Sequence, residues 1–346
     1  MLNLAPLQQR ILRLIQGRKT YQDVCDRQWI LCPGERATHP PAIYLPAALE
    51  KVTAVPDTTT YANELTRIQG GTVEHGATTA YQLRDVHFLS GYVYKGAMKH
   101  VLVTTKEAFL KQGTTELIAE AALACTWVGN RFFGHWITDD LTLTLAAQQL
   151  ATAVTVSKPL TQHQIGYSTL FDIQTKPISQ AFCKRFIIID DVGQNSFKRQ
   201  RYQTLRTKLQ QEASSPTHPG VMFLRKDTGV QRSLLNEPKI AQFLQAQGFT
   251  ILDAETLSAV EIVQKTLGAR IVVGVEGSQL VHGLFPMSEN GVMLTLQPPY
   301  RFNNVYKDYT DCLGLRYAFV IGNPVADGFE IDIDDLARTL DAIALV

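Results

Sequence analysis

His135 and Asp139 stand four residues apart in the aromatic stretch NRFFGHWITDDL, residues 130–141. On a helix that spacing puts imidazole and carboxylate on one face, where the acid orients the ring and lets it serve as a general base. A helix-start histidine held by structural hydrogen bonds is the alternative, and Asp140 reads as a solvated acid. A second set, FLRKDTGVQRSLLNE, residues 223–237, carries Arg225 and Lys226 at a strand end and Arg232 beyond a polar loop. Paired guanidinium groups clamp a diphosphate and stabilise the charge that grows on it as it leaves. Surface arginines paired with Asp227 or Glu237 are the plainer reading, and Asn236 either caps the next helix or touches ligand. The third set is GVEGSQLVHGLF, residues 274–285, preceded by the β-branched run RIVV. It predicts a buried strand, a sharp turn at Gly274 and Gly277, and a helix from Gln279 onward. The N–H groups at such a helix start, at Gly277 and Ser278, would hold phosphate or carboxylate. Close helix–strand packing is the alternative. Glu276 would grip a ribose or sugar hydroxyl, or cap the helix, and His282 reads as a packed or exposed histidine.

These side chains need elements to position them. The stretch SSPTHPG, residues 214–220, is the expected linker. After it VMFLRK, FTILDA, RIVV, GVMLTL and RYAFVIG read as strands, alternating with helices at EPKIAQFLQAQG, AVEIVQKTLGA and about residues 304–312. Such alternation predicts a parallel sheet with right-handed crossovers, a Rossmann-like doubly wound domain. Ligands of such sheets sit outside the carboxyl ends of the strands, where Arg225, Lys226 and the 274–278 turn fall. The N-terminal half also reads as α/β, with strands around 86–94, 100–103, TAVTV and FIIID and a helix over 136–150. The expected domains are 1–213, a linker 214–220, 221–330, and a terminal helix in 331–346.

Composition removes several classes. With 33 Lys+Arg against 32 Asp+Glu over 346 residues, the net charge of +1 gives no general attraction to nucleic acid, so an anion site must be local. The basic run Lys198–Arg201 in SFKRQRYQTLRTKLQQEA therefore reads as a solvated helix face. Cys25, Cys32, Cys125, Cys183 and Cys312 show no C-x-x-C spacing and are expected to be free thiols in a reducing compartment. No run approaches the ~18 apolar residues of a spanning helix. The chain is expected to be cytoplasmic. Leu4, Leu7, Ile11, Leu14 and Ile15 recur at helical spacing among Arg10, Arg13 and Arg18, which predicts an amphipathic helix. It is expected to pack on its own domain, with peripheral membrane contact as the alternative. P-loop, zincin and G-x-S-x-G signatures are absent, and no G-x-G-x-x-G follows a strand to support an NAD-dependent oxidoreductase.

GHWITD, then R-K and R-S-L-L-N-E, then VVGVEGSQLVHGLF, in this order, resemble glycosyltransferase family 61 over about residues 125–322. The matching positions are His135, Trp136, Asp139, Arg225, Arg232, Asn236, Glu237, Val273, Gly274, Gly277, Ser278, Leu280 and Phe285. The chain departs from the family pattern with Glu276 where histidine is usual and Ser278 where alanine is usual. The resemblance implies a GT-B architecture: two Rossmann-like domains facing a cleft, with the nucleotide-sugar in the C-terminal domain and the acceptor mainly on the N-terminal one. It implies an inverting, metal-independent glycosyltransferase, hexosyl or pentosyl, without a cofactor. Its partners would be a nucleotide-sugar donor and a glycan or lipid-linked glycan acceptor, in surface or capsular polysaccharide synthesis at the inner face of a membrane. The expected base is His135, oriented by Asp139. The expected donor-binding set is Arg225, Lys226, Arg232, Asn236, Gly274, Glu276, Gly277, Ser278 and Gln279. A nucleotide-binding scaffold that keeps the fold without catalysis is the alternative, supported by the Glu276 departure.

Overall fold

The computed structural model describes residues 2–107, 111–112, 114–210, 217–226 and 232–345. They form two compact units, Met1–Glu35 with His75–Arg201, and Arg36–Glu74 with Tyr202–Val346. The first unit is built on an eight-stranded sheet. Its strands are β1 (Arg27–Cys32), β2 (Thr78–Leu89), β3 (Tyr92–Lys95), β4 (Met98–Val101), β5 (Glu116–Leu123), β6 (Thr152–Val156), β7 (Lys176–Ile178) and β8 (Gln180–Asp190). They run in the order β7-β6-β5-β8-β2-β3-β4, with β1 also paired to β2. β7, β6, β5 and β8 are parallel neighbours, whereas β8 with β2, β2 with β3, β3 with β4 and β1 with β2 are antiparallel. A Rossmann-like N-terminal half was the expectation; the sheet is mixed instead. Tight turns explain the difference, because they can join only antiparallel strands. Ser90 and Gly91 make the two-residue turn between β2 and β3, both with positive φ, 48° and 84°. One face of the sheet closes a core that includes Leu83, Val86, Phe88, Ile118, Val154 and Phe186.

The single helix expected over 136–150 is divided. A short turn Phe133–His135 leads into a π-helical turn, Trp136–Asp140, and then the helix Leu141–Gln148. Leu141 N–H donates to the Trp136 carbonyl five residues back, so one extra residue is accommodated in the winding.

The second unit carries a five-stranded sheet, every pair of which is parallel. Its strands are β9 (His218–Phe223), β10 (Thr250–Leu252), β11 (Ala269–Val275), β12 (Val292–Gln297) and β13 (Arg316–Ile321), in the order β10-β9-β11-β12-β13. All six residues of β12 are buried, as a central parallel strand covered on both faces requires. Helices Glu237–Ala246, Ala259–Thr266 and Val305–Leu313 make the crossovers. Numbered within the unit, this is the doubly wound 2-1-3-4-5 order, whose ligand crevice lies at the switch point between the first and third strands. Those strands are β9 and β11.

The division of the chain differs from the expected linker. Residues 214–216 lie outside the described residues, 218–220 already belong to β9, and the boundary between units falls inside the helix Ser196–Gln210. Residues 36–74 join the second unit because they extend its sheet edge: Ile43 N–H donates to Tyr317 O at 2.9 Å, and Phe319 N–H returns to Ile43 O at 3.1 Å. Glu64, fully buried, accepts from Asn304 N–H at 2.6 Å and Asn304 Nδ2 at 3.0 Å. Arg67 pairs with Asp308 at 2.9 Å. The helix Ala5–Gln16 also departs from expectation, since its apolar stripe is exposed. Among the described residues no helix is long and apolar enough to cross a membrane.

Candidate active site

In the first unit the divided helix places His135 Nδ1 2.7 Å from Asp139 Oδ2. An ionised carboxylate can only accept, so Nδ1 carries the proton and Nε2 is left as the basic nitrogen. Both residues line a cavity of about 360 Å³, together with Tyr21, Trp127, Asp190 and Lys198. Lys198 is the residue the sequence misassigned: it and Arg201 are buried, not a solvated face. Buried cations require partners, and these have them. Lys198 Nζ lies 3.4 Å from Asp139 Oδ1 and donates to Asp191 O at 2.9 Å. Arg201 grips Asp191 with two parallel bonds, at 2.8 and 2.7 Å. Burial alone pushes the Asp139 carboxyl upward, but Lys198 and His135 together hold it below the usual carboxylate range. The ordered chain from Arg201 through Asp191 and Lys198 to Asp139 thus keeps ionised the acid that orients His135.

Asp140 is buried rather than solvated. Its Oδ1 accepts from Thr126 N–H at 2.9 Å and from the Thr126 hydroxyl at 2.8 Å. A Cβ at position 129 would sit 2.3 Å from the Asp140 carboxyl, so Gly129 leaves the space that this side chain fills. Burial, reinforced by Asp139, raises the Asp140 pKa well above its ordinary value. The folded state therefore holds a proton that the unfolded chain releases near pH 4, and stability falls as pH rises from there towards the folded pKa. Asp140→Asn, which copies the protonated acid, should remove this contribution to the pH slope of Tm; an unchanged Tm profile between pH 4 and 8 would show that Asp140 is ionised.

In the second unit the expected donor residues divide into two groups. Arg225, just beyond β9, donates through Nη1 to Gln279 Oε1 at 2.9 Å, and its N–H donates to Glu237 Oε1 at 2.8 Å. Arg232 donates through Nη1 to Glu276 O at 2.7 Å, with Nε 3.0 Å from Glu276 Oε2. Arg301, which sequence reasoning missed, lies 3.4 Å from the same carboxylate oxygen. Two guanidinium groups, Arg232 and Arg301, thus gather on one carboxylate, with Arg225 close by on Gln279, at the carboxyl ends of β9, β11 and β12. Burial raises the Glu276 pKa, with Arg232, Arg301 and Arg225 opposing. A Cβ at Gly277 would lie 2.0 Å from Arg225 Nη1 and 2.9 Å from Arg232 Nη1, so any larger residue would displace both guanidinium groups. Tyr306 pins the turn through its hydroxyl, which donates to Gly277 O at 2.6 Å. Gly274 packs under Leu280, and Ser278 begins the 3₁₀ turn Ser278–Leu280.

Two expected donor residues lie elsewhere. Lys226 is exposed and its ammonium is paired with Asp253. The Asn236 side chain is taken up by the backbone of Ile331, donating to its carbonyl at 2.7 Å and accepting from its N–H at 3.1 Å. The expected anion-binding helix start is also corrected. Only a 3₁₀ turn and the four-residue helix Val281–Leu284 follow Gly277, too short for a substantial end charge, so side-chain cations supply the positive field. His282 is buried, its ring 5.9 Å from that of Phe223. Among the described residues no three His, Cys, Asp or Glu side chains are grouped to hold a metal ion. Arg301 had a usable signal, since it follows the GVMLTL strand across the short loop QPPY. Lys198 and Asp191 had none.

A family model described as Glycosyltransferase 61 matches residues 133–294, a span that includes His135, Asp139, Lys198, Arg225, Arg232 and Glu276 and ends before Arg301. No curated protein matches the chain. Among solved structures, the metal-soaked Flv1 flavodiiron core from Synechocystis sp. PCC6803 aligns at 12% identity over 77% of this chain and 62% of that one, with a TM-score of 0.25. The aligned part is thus under two thirds of that structure's length, and at this TM-score the likeness carries no argument.

Proposed function

We propose that the chain, whose residues 133–294 match the Glycosyltransferase 61 family model, is an inverting, metal-independent transferase of that family. It moves a hexosyl or pentosyl group from a nucleoside diphosphate sugar to a hydroxyl of a glycan or lipid-linked glycan. The observation that carries this reading is the convergence of Arg225, Arg232 and Arg301 at the switch point of a doubly wound sheet. In the proposed step His135 Nε2 takes the proton of the acceptor hydroxyl as its oxygen attacks the anomeric carbon. The bond from that carbon to the diphosphate oxygen breaks, and the diphosphate leaves with the electron pair. The guanidinium groups then meet the charge that a divalent ion would otherwise neutralise. A GT-B division of labour, donor on the second unit and acceptor mainly on the first, belongs to the same proposal, as does a role in surface polysaccharide synthesis. Its support is the separation of the two residue sets between the units.

The test is thermal unfolding with UDP, GDP, CDP, ADP and NAD, in buffer with and without EDTA. A ligand at about a hundred times its Kd stabilises by ~2.7 kcal/mol, or about 5–10 °C for a unit of this size. A nucleoside diphosphate should raise Tm by that amount, equally in EDTA, and NAD should not. No shift with any diphosphate would overturn the donor assignment, and a shift abolished by EDTA would overturn metal independence.

A further inference from the structure

The amphipathic helix Ala5–Gln16 is mounted with its apolar side outward. Leu4, Leu7, Ile11, Leu14 and Ile15 follow the 3.6-residue period, which sets them within a stripe about 100° wide. A helix that stabilises its own unit turns such a stripe inward. Here the residues buried are Ala5, Pro6 and Gln9, with the Gln9 amide donating to Ala97 O at 2.9 Å, whereas Ile11, Leu14 and Ile15 are 51%, 88% and 75% exposed. Arg10 is held by Glu107 at 3.0 Å, and Glu107 is also bound by Lys99 at 3.0 Å, so that acid is already neutralised. Arg13 and Arg18 are exposed, Lys19 is partly so, and the first acidic residue of the chain is Asp23.

We propose that this helix lies in the headgroup region of an anionic lipid bilayer, its stripe of leucine and isoleucine in the acyl boundary and Arg18 and Lys19, just past its end, on lipid phosphates. Charge decides for this occupant: a bare apolar stripe would serve a protein partner or a second copy equally well, but a stripe that runs out into Arg18 and Lys19, with no acid over its whole length, complements a negative surface. A helix of 12 residues is about 18 Å long, which suits lying along the interface and not crossing it. The inference is independent of the reaction proposed above.

The experiment is co-sedimentation of the full chain with vesicles of phosphatidylcholine alone, or with about a third phosphatidylglycerol, at about 0.1 M and 0.5 M salt. Partitioning to the anionic vesicles should be at least about tenfold stronger than to neutral ones and should weaken in high salt. Ile11→Glu with Leu14→Glu should abolish it at unchanged Tm, and Arg18→Glu with Lys19→Glu should remove the preference for anionic lipid. Absence of sedimentation, or equal binding to neutral vesicles, overturns the proposal. So does a solution dimer that Ile11→Glu with Leu14→Glu disperses, because a second copy would then be the occupant.

Discussion

His135→Ala should lower the turnover of sugar transfer by about 10²–10⁴, the range a positioned general base contributes, with the Kd for the nucleoside diphosphate unchanged. The two readouts separate because His135 belongs to the first unit and the arginine cluster to the second. The imidazole has a defined task only if Nδ1 keeps its proton, which the 2.7 Å contact to Asp139 secures. Asp139→Asn should therefore cost turnover too, by less than the alanine variant and again without changing Kd, since the amide can hold the ring in either tautomer. Added imidazole should restore part of the activity of His135→Ala, as it supplies a base to the space vacated beside the cavity. Turnover that survives the alanine substitution intact would remove His135 from the mechanism. A parallel loss of diphosphate affinity would show that the change had spread beyond the base.

Arg232→Ala has two consequences of different origin, and a second substitution tells them apart. Losing a charge-assisted contact to a phosphate costs ~1.5–3 kcal/mol, so the Kd for the nucleoside diphosphate should rise about ten- to hundredfold. Arg232 also lies beside the buried Glu276 carboxylate, at 3.0 Å, and removing one partner of a buried pair destabilises the fold by up to ~3–5 kcal/mol. Arg301 at 3.4 Å keeps the actual loss below that limit. Adding Glu276→Gln removes the stranded charge, so the double variant should recover Tm while its diphosphate affinity stays weak. If affinity returns together with Tm, Arg232 serves the fold and not the ligand. Wild-type affinity in Arg232→Ala would end the clamp hypothesis.

What could be read in the sequence depended on how each segment is buried. VMFL, RIVV, GVMLTL and RYAFVIG become parallel strands covered on both faces, and such strands show as continuous apolar runs. The five-stranded sheet and the convergence of Arg225, Arg232 and Glu276 at its carboxyl edge were therefore accessible. In the first unit, strands such as β2 alternate buried and half-exposed positions, and register with distant partners decides their direction. The π-helical turn at Trp136–Asp140 left no trace, because no glycine or proline marks it. Lys198 and Arg201 sit in a helix so polar that a solvated face was the natural inference. Their burial depends on Asp139 and Asp191, partners set by tertiary structure. Lys226 shows the converse: it follows a strand end as read, but its side chain turns to Asp253, a partner the sequence does not mark.

The segment 36–74 gives the second unit an unusual schedule during synthesis. Ile43 takes its backbone partners from Tyr317 and Phe319, and Arg67 and Glu64 find theirs at Asp308 and Asn304, all far towards the other end of the chain. At translation rates of about 5–20 residues per second, the interval between making one side of these contacts and the other is on the order of tens of seconds. Residues 75–201 emerge in between and can assemble their own mixed sheet first. The second unit must then close around a strand edge whose partner was made before the first unit was finished, so the earliest-made part of that unit is among the last to be fixed in place.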